Sequence, residues 1–315
     1  MIAKPAVAEI PSPLRLESPS PLPGEGQGGG FSVLVDYVSL TKPRIMLLLL
    51  ITELGAMISA ARGWPGTSLT LAALAGGALS AGGAAAVNCW FDRDIDAVMA
   101  RTCTRPVPSG RIQPASALTF GVVLAALGCI LLALATNLLA ATLALAGGLF
   151  YVFVYTIWLK RATRQNIVIG GAAGAFPPLV GWAVVTGAIA PPAVALFAVI
   201  FFWTPPHFWS LALLLRRQYR AVGVPMLPVV ASDLETRRSI VAYAVLLLAF
   251  SLVPGIWFGP WYTVGAAILS GAFLWMAVRG LTTEGVAWAS RLFHFSLVYL
   301  GLVFGLAAVA AVLPH

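Results

Sequence analysis

The stretch ALTFGVVLAALGCILLAL, residues 117–134, decides the fold class because it carries no charged side chain and shows no strict alternation of apolar and polar residues. A membrane-spanning β-strand would alternate over roughly 10 residues. A helix needs about 20 consecutive, mainly apolar residues to cross the hydrocarbon core of a bilayer. The stretch therefore predicts a transmembrane helix and argues against a β-barrel.

Comparable apolar runs recur from residue 45 to the C-terminus of the 315-residue chain, of which 60% is hydrophobic and 10% charged. Soluble domains carry about 25% charged residues, so water is excluded as the main solvent. The sequence predicts an all-α, polytopic integral membrane protein with nine transmembrane helices, at residues 43–61, 68–88, 116–136, 138–158, 166–187, 193–215, 239–258, 261–279 and 292–313.

The N-terminal segment differs from the rest in composition, since it contains SPSPLPGEGQGGG and lacks the apolar core of a signal peptide. Residues 1–35 are predicted to form a disordered cytoplasmic tail. Residues 36–315 are predicted to form one membrane domain.

The net charge of +8 is explained by where the basic residues lie. Lys42 and Arg44 precede the first predicted span, and most other Lys and Arg residues follow spans two, four, six and eight. The positive-inside rule places these loops and the N-terminus in the cytoplasm and the C-terminus outside, as in a bacterial inner membrane. The charge therefore indicates topology, and no nucleic-acid partner is expected.

An acidic motif follows span two in the sequence NCWFDRDIDAVMARTCTRP. Asn88, Asp92 and Asp96 recur at intervals of four, so a continuing helix would place them on one face. Carboxylates and an amide oxygen suit Mg²⁺ with a bound diphosphate, and Arg101 and Arg105 could clamp phosphate oxygens. The alternative is a solvated loop in which the acidic and basic side chains pair with one another.

Two further polar clusters lie near the ends of later spans. Lys160 and Arg161 follow span four, where they could be topological anchors alone. Pro177-Pro178 and Pro205-Pro206 are expected to disturb spans five and six. His207 is a functional candidate because an ionisable ring inside a span is costly without a task. Glu53, at mid-span, is predicted to face a cavity or to be protonated.

These motifs together resemble the haem-prenylating branch of the UbiA-type intramembrane prenyltransferases. The resemblance covers residues 36–312 and rests on the acidic motif and on five further matches: Thr41-Lys42-Pro43-Arg44, Leu159-Lys160-Arg161-x-Thr163-x-x-Asn166-Ile167, Gly170-Gly171-x-Ala173-Gly174-Ala175-x-Pro177-Pro178, Trp203-Thr204-Pro205-Pro206-His207-Phe208-Trp209, and Pro225-Met226-Leu227-Pro228-Val229.

The resemblance implies nine helices in a ring around a central cavity, and transfer of farnesyl from farnesyl diphosphate to haem B with Mg²⁺ as cofactor. It implies three sets of site residues. The catalytic set is Asn88, Asp92, Asp96, Lys160 and His207; the substrate-binding set is Arg101, Arg105, Arg161, Asn166 and Arg217; the metal ligands are Asn88, Asp92 and Asp96. His207 would ligate the haem iron or shuttle a proton. Membrane lipid and, among proteins, haem A synthase or oxidase assembly proteins are the expected partners.

The chain departs from the family pattern at Gln218, where family members usually carry an acidic residue, so a second metal site is in doubt. Asp233 or Glu235 could replace the missing acid, or Arg216, Arg217 and Arg220 could neutralise the diphosphate directly. Three other functions stay open: a prenyltransferase for an aromatic or quinone precursor, a secondary transporter, and a non-catalytic haem-handling protein.

Overall fold

The computed structural model describes residues 30–313, and every regular element in that range is helical. The elements of the first half are α1 Gly30–Leu40, α2 Pro43–Ala61, α3 Thr67–Phe91, α4 Arg93–Val98, α5 Pro114–Ala135, α6 Leu138–Leu149, a π-helix at Phe150–Leu159, α7 Lys160–Ala162, α8 Asn166–Gly170 and a 3₁₀ helix at Gly171–Ala175. The second half contains α9 Phe176–Thr186, α10 Pro191–Leu214, α11 Arg216–Ala221, α12 Leu227–Val230, α13 Asp233–Leu252, α14 Gly255–Thr282 and α15 Ala287–Val312.

Eight of the nine predicted spans correspond to helical stretches that are long and apolar enough to cross a membrane. They are Pro43–Ala61, Thr67–Phe91, Pro114–Ala135, Leu138–Ala162, Asn166–Thr186, Pro191–Leu214, Gly255–Thr282 and Ala287–Val312. The predicted span 239–258 falls on α13, whose first turns carry Asp233, Glu235, Arg237 and Arg238. The ninth span stays a prediction.

The long helices are arranged in a ring. Contacts run from α2 to α3, α5, α6, α9, α10, α13, α14 and α15 in chain order, and α15 packs back against α2. Among the further contacts, those of α2 with α9 and of α10 with α15 cross the ring. The second of these positions the interior polar groups described below.

The closest helix pair, α3 and α5, is held together by small residues. A Cβ atom at Gly83 would lie 2.5 Å from the carbonyl oxygen of Gly121, and one at Gly121 would lie 2.8 Å from that of Gly83. A side chain at either position would separate the two backbones. These glycines serve helix packing, as small residues commonly do in membranes.

The outer surface of the ring is apolar. Leu134, Ile256 and Trp261 are 83%, 75% and 70% exposed, whereas Asn88 and Asp92 are almost fully buried. This inverts the pattern of a water-soluble protein and matches lipid as the surrounding solvent. The chain is an integral membrane protein.

Three expectations about helix ends need correction. Pro205 and Pro206 do not break span six, because α10 continues through both prolines. Pro177 and Pro178 lie in the first turn of α9, where proline is tolerated, and the change of helix type comes earlier, in the 3₁₀ helix. The boundary of the predicted tail at residue 35 cuts α1 in two, while residues 1–29 lie outside the described part of the chain.

Candidate active site

The acidic motif lies where α3 passes into α4. Asp92 separates the two helices, yet the backbone N–H of Asp92 donates to Asn88 O at 2.9 Å and that of Asp96 to Asp92 O at 2.8 Å. These are the i to i−4 bonds of an α-helix. The sequence expectation that the three residues continue along one helical face is therefore confirmed at the backbone level.

Asp92 is the centre of the polar network. Its Oδ2 accepts hydrogen bonds from Asn88 Nδ2 at 2.7 Å and from the ammonium group of Lys160. The carboxylate is 2% exposed, and a buried charge is tolerated only when it is paired and hydrogen-bonded. Lys160, at the C-terminal end of span four, is therefore more than a topological anchor.

Lys42 also contacts the acidic motif, although the sequence did not predict it as a site residue. Its Nζ donates to Asn88 Oδ1 at 2.6 Å and lies 3.4 Å from the hydroxyl oxygen of Tyr151. The Lys42 backbone is in the left-handed region, with φ of 55°, which is uncommon for a residue other than glycine. The only sequence signal is the place of this basic residue immediately before the first predicted span.

The π-helix Phe150–Leu159 brings span four to the same network. The hydroxyl of Thr156 accepts a hydrogen bond from Asn88 Nδ2 at 3.0 Å and donates to Tyr151 O at 2.8 Å. Segments of π-helix are rare in proteins, and those that occur often lie at functional sites. Hydropathy does not reveal the extra residue per turn, so this element was not predicted.

Arginines neutralise the other two carboxylates of the motif. Arg105 donates to Asp96 Oδ2 at 2.6 Å, and Arg161 binds both oxygens of Asp94 at 2.7 Å. The Arg161 hydrogen bonds hold the pKa of Asp94 at about 2. Arg161 also lies 3.7 Å from Asp92 Oδ1. The predicted cations thus do converge on the acidic motif.

The other three residues of the predicted substrate-binding set differ in their contacts. Asn166 is fully buried and donates from Nδ2 to Lys160 O at 3.3 Å. Arg101 is exposed, and its charge together with that of Arg105 opposes the rise that burial causes in the pKa of Tyr219. Arg217 is exposed on α11 and makes no hydrogen bond or ion pair with any residue between 30 and 313.

Gln218 does not gain a carboxylate neighbour from the following loop. Asp233 pairs with Arg216, and Glu235 pairs with Arg164 at 2.9 Å. Both acids are exposed on the first turn of α13. The Gln218 Oε1 atom is buried and has no hydrogen-bond partner within the described chain.

His207 lies apart from the acidic motif, in the contact between α10 and α15. Its Nδ1 is 2.6 Å from Ser296 Oγ, and no hydrogen bond within residues 30–313 joins it to the carboxylates. Its ring stacks on Trp203 and Phe293, with centroid separations of 4.2 and 4.8 Å. The structure therefore divides the predicted site into a rim part, at the acidic motif, and an interior part, at His207.

Glu53 occupies a third buried position, between α2, α3 and α9. Its side chain is against Gly77, where a Cβ atom would overlap Oε2, and its carbonyl is against Gly181. The Oε1 atom has no hydrogen-bond partner among the described residues. No cation on the described chain pairs with this carboxylate, which favours the protonated form expected for an isolated buried acid.

The rim part supplies only some of the ligands that a divalent cation needs. Within residues 30–313 no three acidic, histidine or cysteine side chains converge on one point, but Asp92 Oδ1 is buried without a hydrogen-bond partner. Mg²⁺ commonly uses one or two carboxylates and completes its shell with water and substrate phosphates. The donor set fits such a cation when a diphosphate supplies the remaining ligands.

The sequence also matches a model of a known protein family. The description of that family is "UbiA prenyltransferase family", and residues 49–300 match it. The chain belongs to the UbiA prenyltransferase family. Its acidic motif and most of its ring of helices lie within the matched range.

Curated relatives of this UbiA-family chain carry the name protoheme IX farnesyltransferase. The protein of Roseiflexus castenholzii is 49% identical over 304 residues, which cover 95% of this chain and 56% of the relative. That of Symbiobacterium thermophilum is 52% identical over 280 residues, 86% of this chain and 92% of the relative. The chain spans about half the length of the Roseiflexus and Chloroflexus relatives it matches.

Solved structures of membrane proteins share this fold. A structure described as digeranylgeranylglyceryl phosphate synthase matches with a TM-score of 0.74 at 22% identity, covering 89% of this chain and 99% of that one. A UbiA homologue from Archaeoglobus fulgidus, bound to GPP and Mg²⁺, matches with a TM-score of 0.63 at 16% identity, covering 86% and 99%. At these identities the likeness concerns the fold alone.

Proposed function

We propose that this chain transfers the farnesyl group of farnesyl diphosphate to a vinyl group of haem B, with addition of water, to give haem O. The buried Asp92 network carries the proposal, because it combines carboxylates with hydrogen-bonded cations at the edge of an apolar ring. The name shared by relatives about 50% identical over most of the chain supports the choice of substrates.

The site residues exchange partners during the reaction. Before substrate binds, Lys160 and Arg105 pair with the carboxylates of Asp92 and Asp96, and Lys42 donates a hydrogen bond to the amide oxygen of Asn88. When diphosphate enters, these cations and Arg161 turn to its oxygens, and Asn88, Asp92 and Asp96 become free to hold Mg²⁺. Mg²⁺ supplies positive charge to the leaving diphosphate. Such charge-assisted contacts are strongest where they meet developing charge.

The bond changes balance without a redox partner. The C1–O bond of farnesyl diphosphate breaks, and its electron pair leaves with the diphosphate. The vinyl π electrons of the porphyrin form the new bond to C1, which moves the positive charge to the other vinyl carbon. Water adds there and loses a proton. The apolar ring keeps water from the first cation.

The direct test is incubation of the purified full-length protein with haem B, farnesyl diphosphate and Mg²⁺, followed by mass analysis of the porphyrin. We expect the mass of haem O, and no product when 4-hydroxybenzoate replaces haem B. Prenylation of the benzoate instead would favour the aromatic-acceptor alternative. Binding of haem without product in the presence of Mg²⁺ would favour a haem-handling protein.

We also propose that the acidic motif faces the cytoplasm and the C-terminus the outside, in a bacterial inner membrane. The basic residues after spans two, four and six support this orientation. In sealed cells, a cysteine at position 64 should react with an impermeant thiol reagent added outside, and one at position 101 should not. The reverse pattern would invert the topology. Haem A synthase and oxidase assembly proteins are the protein partners we would test.

A further inference from the structure

Two buried side chains each close a short loop onto the backbone of a charged residue at the acidic motif. Thr102 is 1% exposed, and its hydroxyl donates to the carbonyl oxygen of Asp96 at 3.0 Å. Asn166 is 0% exposed, and its Nδ2 donates to the carbonyl oxygen of Lys160 at 3.3 Å. In both cases the donor lies six residues after the acceptor. The same closure therefore occurs after α4 and after span four.

Both acceptors are carbonyl groups at the ends of helices. Asp96 lies in the last turn of α4, and Lys160 follows the π-helix and begins the three-residue α7. The last carbonyl groups of a helix have no partner within it, and a buried carbonyl group needs a donor from elsewhere. Thr102 and Asn166 supply these donors from the chain that follows.

The closures hold the backbone where side chains form ion pairs. Asp96 pairs with Arg105, and the ammonium group of Lys160 pairs with Asp92. Lysine carries its charge on a flexible stem, so the position of the ammonium group depends on where the Lys160 backbone is held. The chain becomes extended at Thr163, so no continuing helix holds that backbone in place. The Asn166 amide does so instead.

The contacts of Asn166 do not suit direct binding of diphosphate. Its side chain has no exposed surface from which to touch a substrate. The Lys160 carbonyl oxygen can only accept, so Nδ2 must face it. The other amide atom, Oδ1, is buried without a hydrogen-bond partner in the described chain. An amide oxygen is an acceptor and cannot donate to a phosphate oxygen.

We infer that Thr102 and Asn166 are positioning residues, which hold the backbones of Asp96 and Lys160 so that these two charged side chains meet the diphosphate and its Mg²⁺. The inference rests on the proposed function, because diphosphate is the ligand of that site. It replaces the substrate-binding role that the family resemblance implies for Asn166.

The test is a set of double-mutant cycles, read by calorimetric titration of inorganic pyrophosphate with Mg²⁺ into the purified full-length protein. Asn166→Leu and Thr102→Val should each weaken binding about fivefold, the effect of one neutral hydrogen bond. In a Lys160→Met background, Asn166→Leu should have no further effect, because the side chain that it positions is absent. Thr102→Val should keep most of its effect in that background and lose it in an Asp96→Asn background.

Two control variants separate positioning from general stability. Thr70→Val and Asn137→Leu remove the same groups at the other ends of α3 and α5, where Thr70 donates to Gly66 O at 2.8 Å and Asn137 to Ala183 O at 2.7 Å. They should lower the melting temperature and leave pyrophosphate affinity unchanged. Thr102→Ser keeps the hydroxyl and should recover the wild-type affinity.

Two results would overturn the inference. One is an undiminished effect of Asn166→Leu in the Lys160→Met background, because Asn166 would then not act through Lys160. The other is an equal loss of pyrophosphate affinity in Asn137→Leu, which would show that any weakening of the fold has the same effect.

The same measurements distinguish failure of this inference from failure of the proposed function. If the wild-type protein binds pyrophosphate with Mg²⁺ and makes haem O while the cycles are additive, only the positioning roles are wrong. If the wild-type protein neither binds pyrophosphate nor forms haem O, the proposed function is wrong as well.

Discussion

The polar groups at one rim of the ring and those in its interior are stabilised in different ways. At the rim, cations pair with two carboxylates and contact the Asn88 amide. We define the rim as Lys42, Asn88, Asp92, Asp96, Arg105, Thr156 and Lys160. In the interior, His207 and Ser296 form a neutral hydrogen bond between aromatic rings. Ion pairs can be exchanged for a charged substrate, whereas a neutral, stacked pair holds one geometry. The rim is suited to binding and release of diphosphate, and the interior to fixed orientation.

The largest effect should follow from removing the central charge of the rim. Asp92→Asn leaves the ammonium of Lys160 without its carboxylate and removes a metal ligand. We expect farnesyl transfer to fall at least about 100-fold, measured as haem O formed per minute. Asp94→Asn is the matched control, because Asp94 is exposed and pairs with Arg161. It should stay within about threefold of wild type. Near-normal turnover of Asp92→Asn would contradict the role of the rim.

A smaller but clear effect is expected at Lys42. Lys42→Met keeps the apolar stem and removes the ammonium that contacts Asn88 and faces the diphosphate. Loss of one charge-assisted hydrogen bond should lower kcat/KM for farnesyl diphosphate about 10- to 100-fold. Arg44→Met, two residues away and exposed, should have little effect. Equal losses in the two variants would mean that general positive charge, and not this contact, is needed.

Thr156 tests a neutral member of the rim. Thr156→Val preserves shape and deletes the hydroxyl that orients Asn88. One neutral hydrogen bond corresponds to about fivefold in rate, and the loss should appear in kcat with the melting temperature nearly unchanged. A Thr156→Ser variant keeps the hydroxyl and should recover most of the activity. If it does not, the Thr156 methyl group matters more than its hydrogen bond.

The smallest effect is expected at Glu53. Glu53→Gln replaces an acid that no cation on the described chain pairs with by a neutral group of the same size, so turnover should stay within about twofold of wild type and thermal stability should not fall. Measured beside Asp92→Asn, this variant compares two buried acids, one paired and one unpaired. A loss of more than about tenfold would mean that Glu53 works as a charge or a proton carrier.

Local sequence features predicted much of the fold and part of the site. The hydropathy of runs such as 117–134 identified the spans, and the spacing of Asn88, Asp92 and Asp96 placed them on one helical face. His207 was a candidate from its place inside a span, and the family resemblance implied roles for Lys160 and Arg161 as well. The seventh predicted span is not among the helices found apolar enough to cross a membrane, because the first turns of α13 carry four charged side chains.

What escaped prediction depends on contacts between distant parts of the chain. Lys42 meets Asn88 across 46 residues, Asn88 meets Thr156 across 68, and His207 meets Ser296 across 89. No pattern within one helix reports such pairs. Ser296 in particular lies in an apolar run, where its hydroxyl would be expected to form only a hydrogen bond within its own helix. The contact with His207 becomes visible only when α10 is placed beside α15.

The wide turns of Phe150–Leu159 make the chain sensitive to insertion and deletion at this place. Each residue of an α-helix advances the chain by about 100° around the axis. Deleting one residue ahead of Tyr155 would let the segment rewind as an ordinary α-helix and would rotate everything after it by about that angle. Lys160 would then point away from Asp92, although no residue of the network had been replaced. The spacing of this segment is thus as much part of the site as the side chains, and chain length here is expected to be under tighter constraint than residue identity.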